Sequence, residues 1–193
     1  GDGYSDSWAK EAQRRGLSNT PKTPDALKAR ISEKAIALFG EMGVMNKVEV
    51  QARYEVQVEE YIMRIQIESR VLGDIARNHI IPTAVRYQNT LIENVSGLKA
   101  IYGNQYTKHA SEQLELIEKI SAYIANLNRG VTDMINARKK ANAINKAEER
   151  AQLYCNEVLP FFEQIRYHSD RLELMVDDEL WSMVKYRELL FLR

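Results

Sequence analysis

The chain has one cysteine, Cys155, so no intrachain disulfide is possible. A lone thiol at a helical core spacing fits a reducing compartment, and the expectation is a small buried apolar residue. Acidic and basic residues number 27 each, so there is no net field to draw in nucleic acid or anionic lipid. No apolar run approaches the roughly 20 residues that a membrane-spanning helix needs, and no secretory signal precedes the globular pattern. Prolines are few: Pro21, Pro24, Pro82 and Pro160. No Gly-rich phosphate loop is present. No segment sustains the alternation of a half-buried strand. The three histidines have Ala76, Tyr106 and Ile165 three residues before them, which removes the Glu-x-x-His pairs of a di-metal bundle oxidase.

What remains is helical periodicity. The fold class is all-α, a bundle of long antiparallel helices with a proline-broken central helix. Residues 1–23 read as an entry linker with one short helix, 24–176 as the bundle, and 177–193 as an apolar tail that docks on its own bundle or a neighbour. The N-terminus lacks methionine and opens GDGYSDSW, which points to a piece of a longer protein.

Thr23 and Pro24 open a helix carrying Leu27, Ile31, Ala35, Leu38 and Met42, and Gly43 closes it. Asn46 and Glu49 have capping-box spacing and open a helix running to about Ile80. One of its stripes holds Val58, Ile62, Ile65, Leu72, Ala76 and Ile80, and a second holds Val56, Met63, Ile67 and Val71. Two stripes predict partners on two sides. Pro82 then demands a break or kink. Residues 83–102 form the next helix. After a turn, residues 108–141 carry a seam of Ile117, Ile120, Ile124, Leu127, Val131 and Met134. Asn145 and Glu148 repeat the capping-box spacing before a helix to Val176 that Pro160 should bend. His168 lies on that helix's apolar seam and reads as a hydrogen-bonded core histidine. The basic run Arg138, Lys139, Lys140, Lys146 and Arg150 reads as a solvated helix end.

Around Pro82 stand Arg77, Asn78, His79, Arg86, Tyr87, Gln88, Asn89 and Asn94. The first expectation is that they cap the broken helix ends and form one buried polar network. The functional alternative is a contact surface for another domain or subunit, with Trp181 and Tyr186 of the tail as further contact residues. A stand-alone interaction module dimerising on the Ile117–Met134 seam is the runner-up reading. No residue is assigned to catalysis, cofactor or metal.

Several stretches resemble type III glutamine synthetases, in that family's order. They are SEKAIALFGEMGV (Ser32–Val44) with ARYEVQVEEYI (Ala52–Ile62), then ARNHIIPTAVRYQNTLIENVSGLK (Ala76–Lys99), then FEQIRYHSDRLELMVDDELWSMVKYRELLF (Phe162–Phe191). The segment GYSDSW…EAQRRGL adds to the likeness, while the tail lacks the prolines of a W-P-x-P-K-Y-R-like run. The resemblance implies a C-terminal, non-catalytic helical domain in a larger cytoplasmic enzyme. That parent's upstream barrel would bind ATP and magnesium or manganese, phosphorylate the glutamate γ-carboxylate and let ammonia displace phosphate. The implied partners are its own catalytic domain and the other subunits of a homo-oligomer, with neither nucleic acid nor membrane.

Overall fold

In the computed structural model, residue 3 and residues 5–190 are described, apart from the side chains of residues 186 and 187. Among them there is no strand. A short helix α1 (Asp6–Arg14) is capped by the Ser5 hydroxyl, which accepts from the Trp8 amide at 3.3 Å. The first predicted bundle helix is interrupted. α2 (Thr23–Lys28) passes through a 3₁₀ turn, Ala29–Ile31, and stops at Ser32, which caps α3 (Glu33–Glu41) instead. The Ser32 hydroxyl accepts from the Ala35 amide at 3.3 Å and donates to the Ala29 carbonyl at 2.8 Å. A serine that can satisfy backbone groups on both sides of itself favours a cap over a helix interior. Gly43 ends α3 with a φ of +64°, as its position predicts.

α4 (Lys47–Ile75) opens on the expected capping box. Asn46 Oδ1 accepts from the Glu49 amide at 3.0 Å, and Glu49 Oε2 accepts from the Asn46 amide at 2.7 Å. The break expected at Pro82 takes the form of a single π turn, Ala76–Ile80, which leads into α5 (Ile81–Tyr102). Proline has no N–H for an ordinary helical bond and its ring crowds the carbonyl four residues back. The Ile81 amide therefore reaches back five residues, to the carbonyl of Ala76, and the rod continues.

After Gly103 (φ +54°) a 3₁₀ turn and α6 (Tyr106–His109) reverse the chain into α7 (Ser111–Asn142). α8 (Ala147–Leu153) follows, then a second π turn, Tyr154–Val158, then α9 (Pro160–Glu173). This turn repeats the first. The Leu159 amide donates to the Tyr154 carbonyl at 3.0 Å, directly ahead of Pro160. The capping box expected at Asn145 is absent, and Lys146 takes the cap position with no side-chain bond to the helix's free amides. Glu148 is drawn away by α4, where its Oε1 accepts from the Tyr54 hydroxyl at 2.8 Å.

α7 packs against α5, α9 and both π turns, while α4 packs on α8 and on the strap formed by α2 and α3. The core runs between these rods through Val58, Ile62, Ile120, Leu127, Val131, Met134, Tyr154, Ile165 and Leu172. Gly130 belongs to the α7–α9 contact, since a Cβ there would stand 3.3 Å from Ile165 Cγ1. The tail folds back: Leu180 and Trp181 pack on the core, and Lys185 Nζ bonds the Glu173 carbonyl at 3.1 Å and the Asp178 carboxylate. A final short helix, α10, spans Tyr186–Leu189.

Candidate interaction surface

The polar residues around Pro82 do not form one buried network. Arg77, Asn78, His79, Arg86 and Asn89 are exposed, and Tyr87 and Gln88 are half-buried. Each finds its own local partner or faces water. Arg77 donates to Thr132 Oγ1 on α7 at 2.8 Å, and Asn78 donates to the Asp74 carboxylate one turn back. Arg86 donates to Thr83 Oγ1 at 2.8 Å. Gln88 ties α5 to α7 through the Ile117 carbonyl at 3.0 Å and Ser121 Oγ at 2.6 Å. The π turn already satisfies the backbone, so these side chains are not needed as caps.

Trp181 is a tail anchor whose indole N–H is sealed from solvent with no partner among the described residues. Lys185 Nζ lies 5.9 Å from its ring centroid. The Tyr186 side chain lies outside the described residues. The basic run is not a uniform solvated end. Arg150 reaches Glu59 on α4 at 2.8 Å, Lys146 pairs with Glu149 at 3.2 Å, and Arg138 turns inward to Ser69 Oγ at 3.3 Å.

Two apolar surfaces change standing. The α7 seam is interior: Ile120, Leu127, Val131 and Met134 are fully buried within this chain, which leaves no seam for a dimer. The second stripe of α4, where a partner is expected, has none among the described residues. Val56, Met63, Ile67 and Val71 are 66%, 55%, 54% and 51% exposed. Periodicity at this spacing marks a face made to be covered.

Buried titratable groups lie beside the core. Burial, and then the bond to Glu148, pushes the Tyr54 phenol up to about 12. Burial also raises the Tyr61 phenol, whose hydroxyl is sealed against the Cys155 thiol in a cleft of about 620 Å³ between α2, α4 and the second π turn. The hydrogen bond expected at His168 is not found among the described residues. Its Nδ1 is buried without a partner among the described residues, its ring lies 5.8 Å from Tyr123 and 5.2 Å from Tyr167, and burial lowers its pKa. Among the described residues no three His, Cys, Asp or Glu side chains come together in a group that could hold a metal ion. Among the described residues no helix is long and apolar enough to cross a membrane.

The family model of the glutamine synthetase C-terminal domain matches residues 1–99, half of this chain. The chain belongs to that family. A glutamine synthetase of Bacteroides fragilis (strain YCH46) is 45% identical over 99% of the chain. A type-3 glutamine synthetase of Dictyostelium discoideum is 33% identical over all of it, and a glutamine synthetase of Butyrivibrio fibrisolvens 28% identical over 99%. The chain spans about a quarter of those relatives' length, 26–27%. This chain of the glutamine synthetase C-terminal family is a helical bundle in which one apolar face of α4 is exposed.

Proposed function

We propose that this domain braces the catalytic part of a type III glutamine synthetase, or a subunit interface of the assembled enzyme, through the bare face of α4. The parent ligates ammonia to glutamate with ATP and a divalent cation in the cytoplasm, and the domain itself supplies no reacting group. One observation carries the reading: the regularly spaced stripe Val56, Met63, Ile67 and Val71 is exposed on a helix whose opposite face is core. The neighbouring polar residues Arg77, Asn78, His79, Arg86 and Asn89 form the rim of the same contact in this reading. Trp181 and Tyr186 of the tail are further contact residues in this reading. A buried apolar centre with a polar rim is the usual anatomy of a stable interface.

The test is the full-length enzyme carrying Met63→Glu and Ile67→Glu together. Both side chains are more than half exposed, so the bundle should fold as before. Mass photometry should show loss of assembly, and ATP-dependent glutamine formation should fall with it. Unchanged assembly and unchanged glutamine formation would overturn the brace.

A further inference from the structure

Beside the bare stripe lies a cleft of about 260 Å³ between α4, α7 and the first π turn. Ser69, Arg70, Gly73 and Asp74 line it from α4, Ile135 and Arg138 from α7, and Arg77 and Asn78 from the turn. Three guanidiniums therefore face one small space. Each carries five N–H donors. Arg77 bonds Thr132 at 2.8 Å, Arg138 bonds Ser69 at 3.3 Å, and Arg70 makes no hydrogen bond or ion pair among the described residues. The one carboxylate in the lining, Asp74, accepts from Asn78 and makes no ion pair with any of the three. The lining thus holds three positive charges and one negative.

Like charges gathered in a partly buried space are costly without a counter-charge. Burial, and then the neighbouring Arg70, push the Arg138 pKa down, so its positive charge, which it keeps, is less favourable here than in water. The fold could relieve this by turning Arg138 to solvent, yet it holds Arg138 half-buried on Ser69. We propose that this cleft binds a small dianionic oxyanion, of the phosphate or sulfate class, on Arg70, Arg77 and Arg138. Two negative charges balance the lining, whereas a single carboxylate leaves one positive charge over. Guanidiniums also match a tetrahedral oxyanion with paired N–H donors. The second N–H of the Asn78 amide, the first being on Asp74, adds a neutral donor at the rim. The site is built from this chain's own side chains, and it shares Arg77 and Asn78 with the rim of the contact proposed for the α4 stripe.

The test is a phosphate titration of the 193-residue chain, followed by amide NMR at constant ionic strength with chloride as the balancing anion. The expected result is saturable shifts at the Ser69, Gly73 and Asn78 amides. Arg70→Gln and Arg77→Gln replace exposed residues, so circular dichroism should find both variants folded. Each should weaken phosphate at least about tenfold, as loss of a charged hydrogen-bond donor predicts. Acetate should bind much more weakly than phosphate. Shifts that grow with phosphate without a plateau are the response to an excluded salt and would overturn the site. So would an affinity unchanged in both variants, and acetate binding as tight as phosphate would overturn the assignment of a dianion.

Discussion

Ile65 and Ile67 stand two residues apart on α4, one 6% and the other 54% exposed. Truncating each to alanine in the 193-residue chain separates the face that makes the fold from the face left for a partner. Ile65 sits in the core cluster, so Ile65→Ala removes buried methyl groups and leaves a cavity, at about 2–5 kcal/mol. For a chain of this size each kcal/mol moves Tm by roughly 2–4 °C, so a fall of about 4–20 °C is expected by calorimetry. Ile67→Ala loses little packing and gains a few tenths of a kcal/mol of helix propensity, so Tm should stay within about 2 °C. In the full-length enzyme the order changes. Covering the exposed half of Ile67 contributes about 1 kcal/mol, from the roughly 1.5–3 kcal/mol of full burial. Ile67→Ala should therefore weaken the docked state about fivefold while leaving the free domain intact. Equal Tm losses for the two variants in the isolated chain would refute the assignment of faces.

Two of the helical glycines, Gly97 in α5 and Gly130 in α7, should respond oppositely. A Cβ on Gly97 meets nothing within 4 Å, so Gly97→Ala should stabilise by about 0.5–1 kcal/mol in urea unfolding. A Cβ on Gly130 would crowd the fully buried Ile165 at 3.3 Å, so Gly130→Ala should destabilise despite the same propensity gain. The folded state holds His168 below its usual pKa, so the unfolded chain binds the extra proton first as pH falls. Stability should drop below about pH 6.5, and His168→Phe should flatten that slope in urea midpoints measured from pH 7.5 to 5. Tyr54 is shifted the other way for an acid. Its contribution should persist up to about pH 10 and be lost as pH rises toward 12, and Tyr54→Phe should remove this alkaline loss in thermal scans. Pro82→Ala should cost under about 1 kcal/mol, because the π turn already accommodates the ring, and a gain of several kcal/mol would show that the proline strains the rod.

Local chemistry was the legible part of this fold. The Asn46–Glu49 box, the left-handed glycines at 43 and 103, and the α7 seam each follow from neighbours a few residues away. Long-range competition was not legible. Asn145 and Glu148 have the spacing of a cap, but the Tyr54 hydroxyl lies 94 residues from Glu148 in sequence and takes it. Periodicity marked the Val56–Val71 stripe as apolar without saying that the bundle would leave it bare. The arginine cleft was missed for the same reason. Arg138 and Ser69 are 69 residues apart in sequence, and only the crossing of α4 and α7 brings them together. The Arg77, Asn78 and His79 cluster was visible, but its exposed, divided form was not.

That form follows from the two prolines. Asn78-His79-Ile80-Ile81-Pro82 and Asn156-Glu157-Val158-Leu159-Pro160 share a pattern of asparagine, a polar residue, two aliphatics and proline. Each gives a π turn ending two residues before its proline. A wider turn brings its first and fifth residues close to alignment along the axis. Both members of each such pair are buried, Ala76 with Ile80 and Tyr154 with Val158. The residues between them are turned away from the core, fully exposed except for the half-buried Cys155. A polar triplet on an otherwise packed rod is thus the geometric product of how the chain accommodates a proline. In the first turn it projects Arg77 and Asn78 into the cleft beside α4. The residue that looked like a helix breaker therefore keeps the rod continuous and sets out the polar rim next to its bare apolar face.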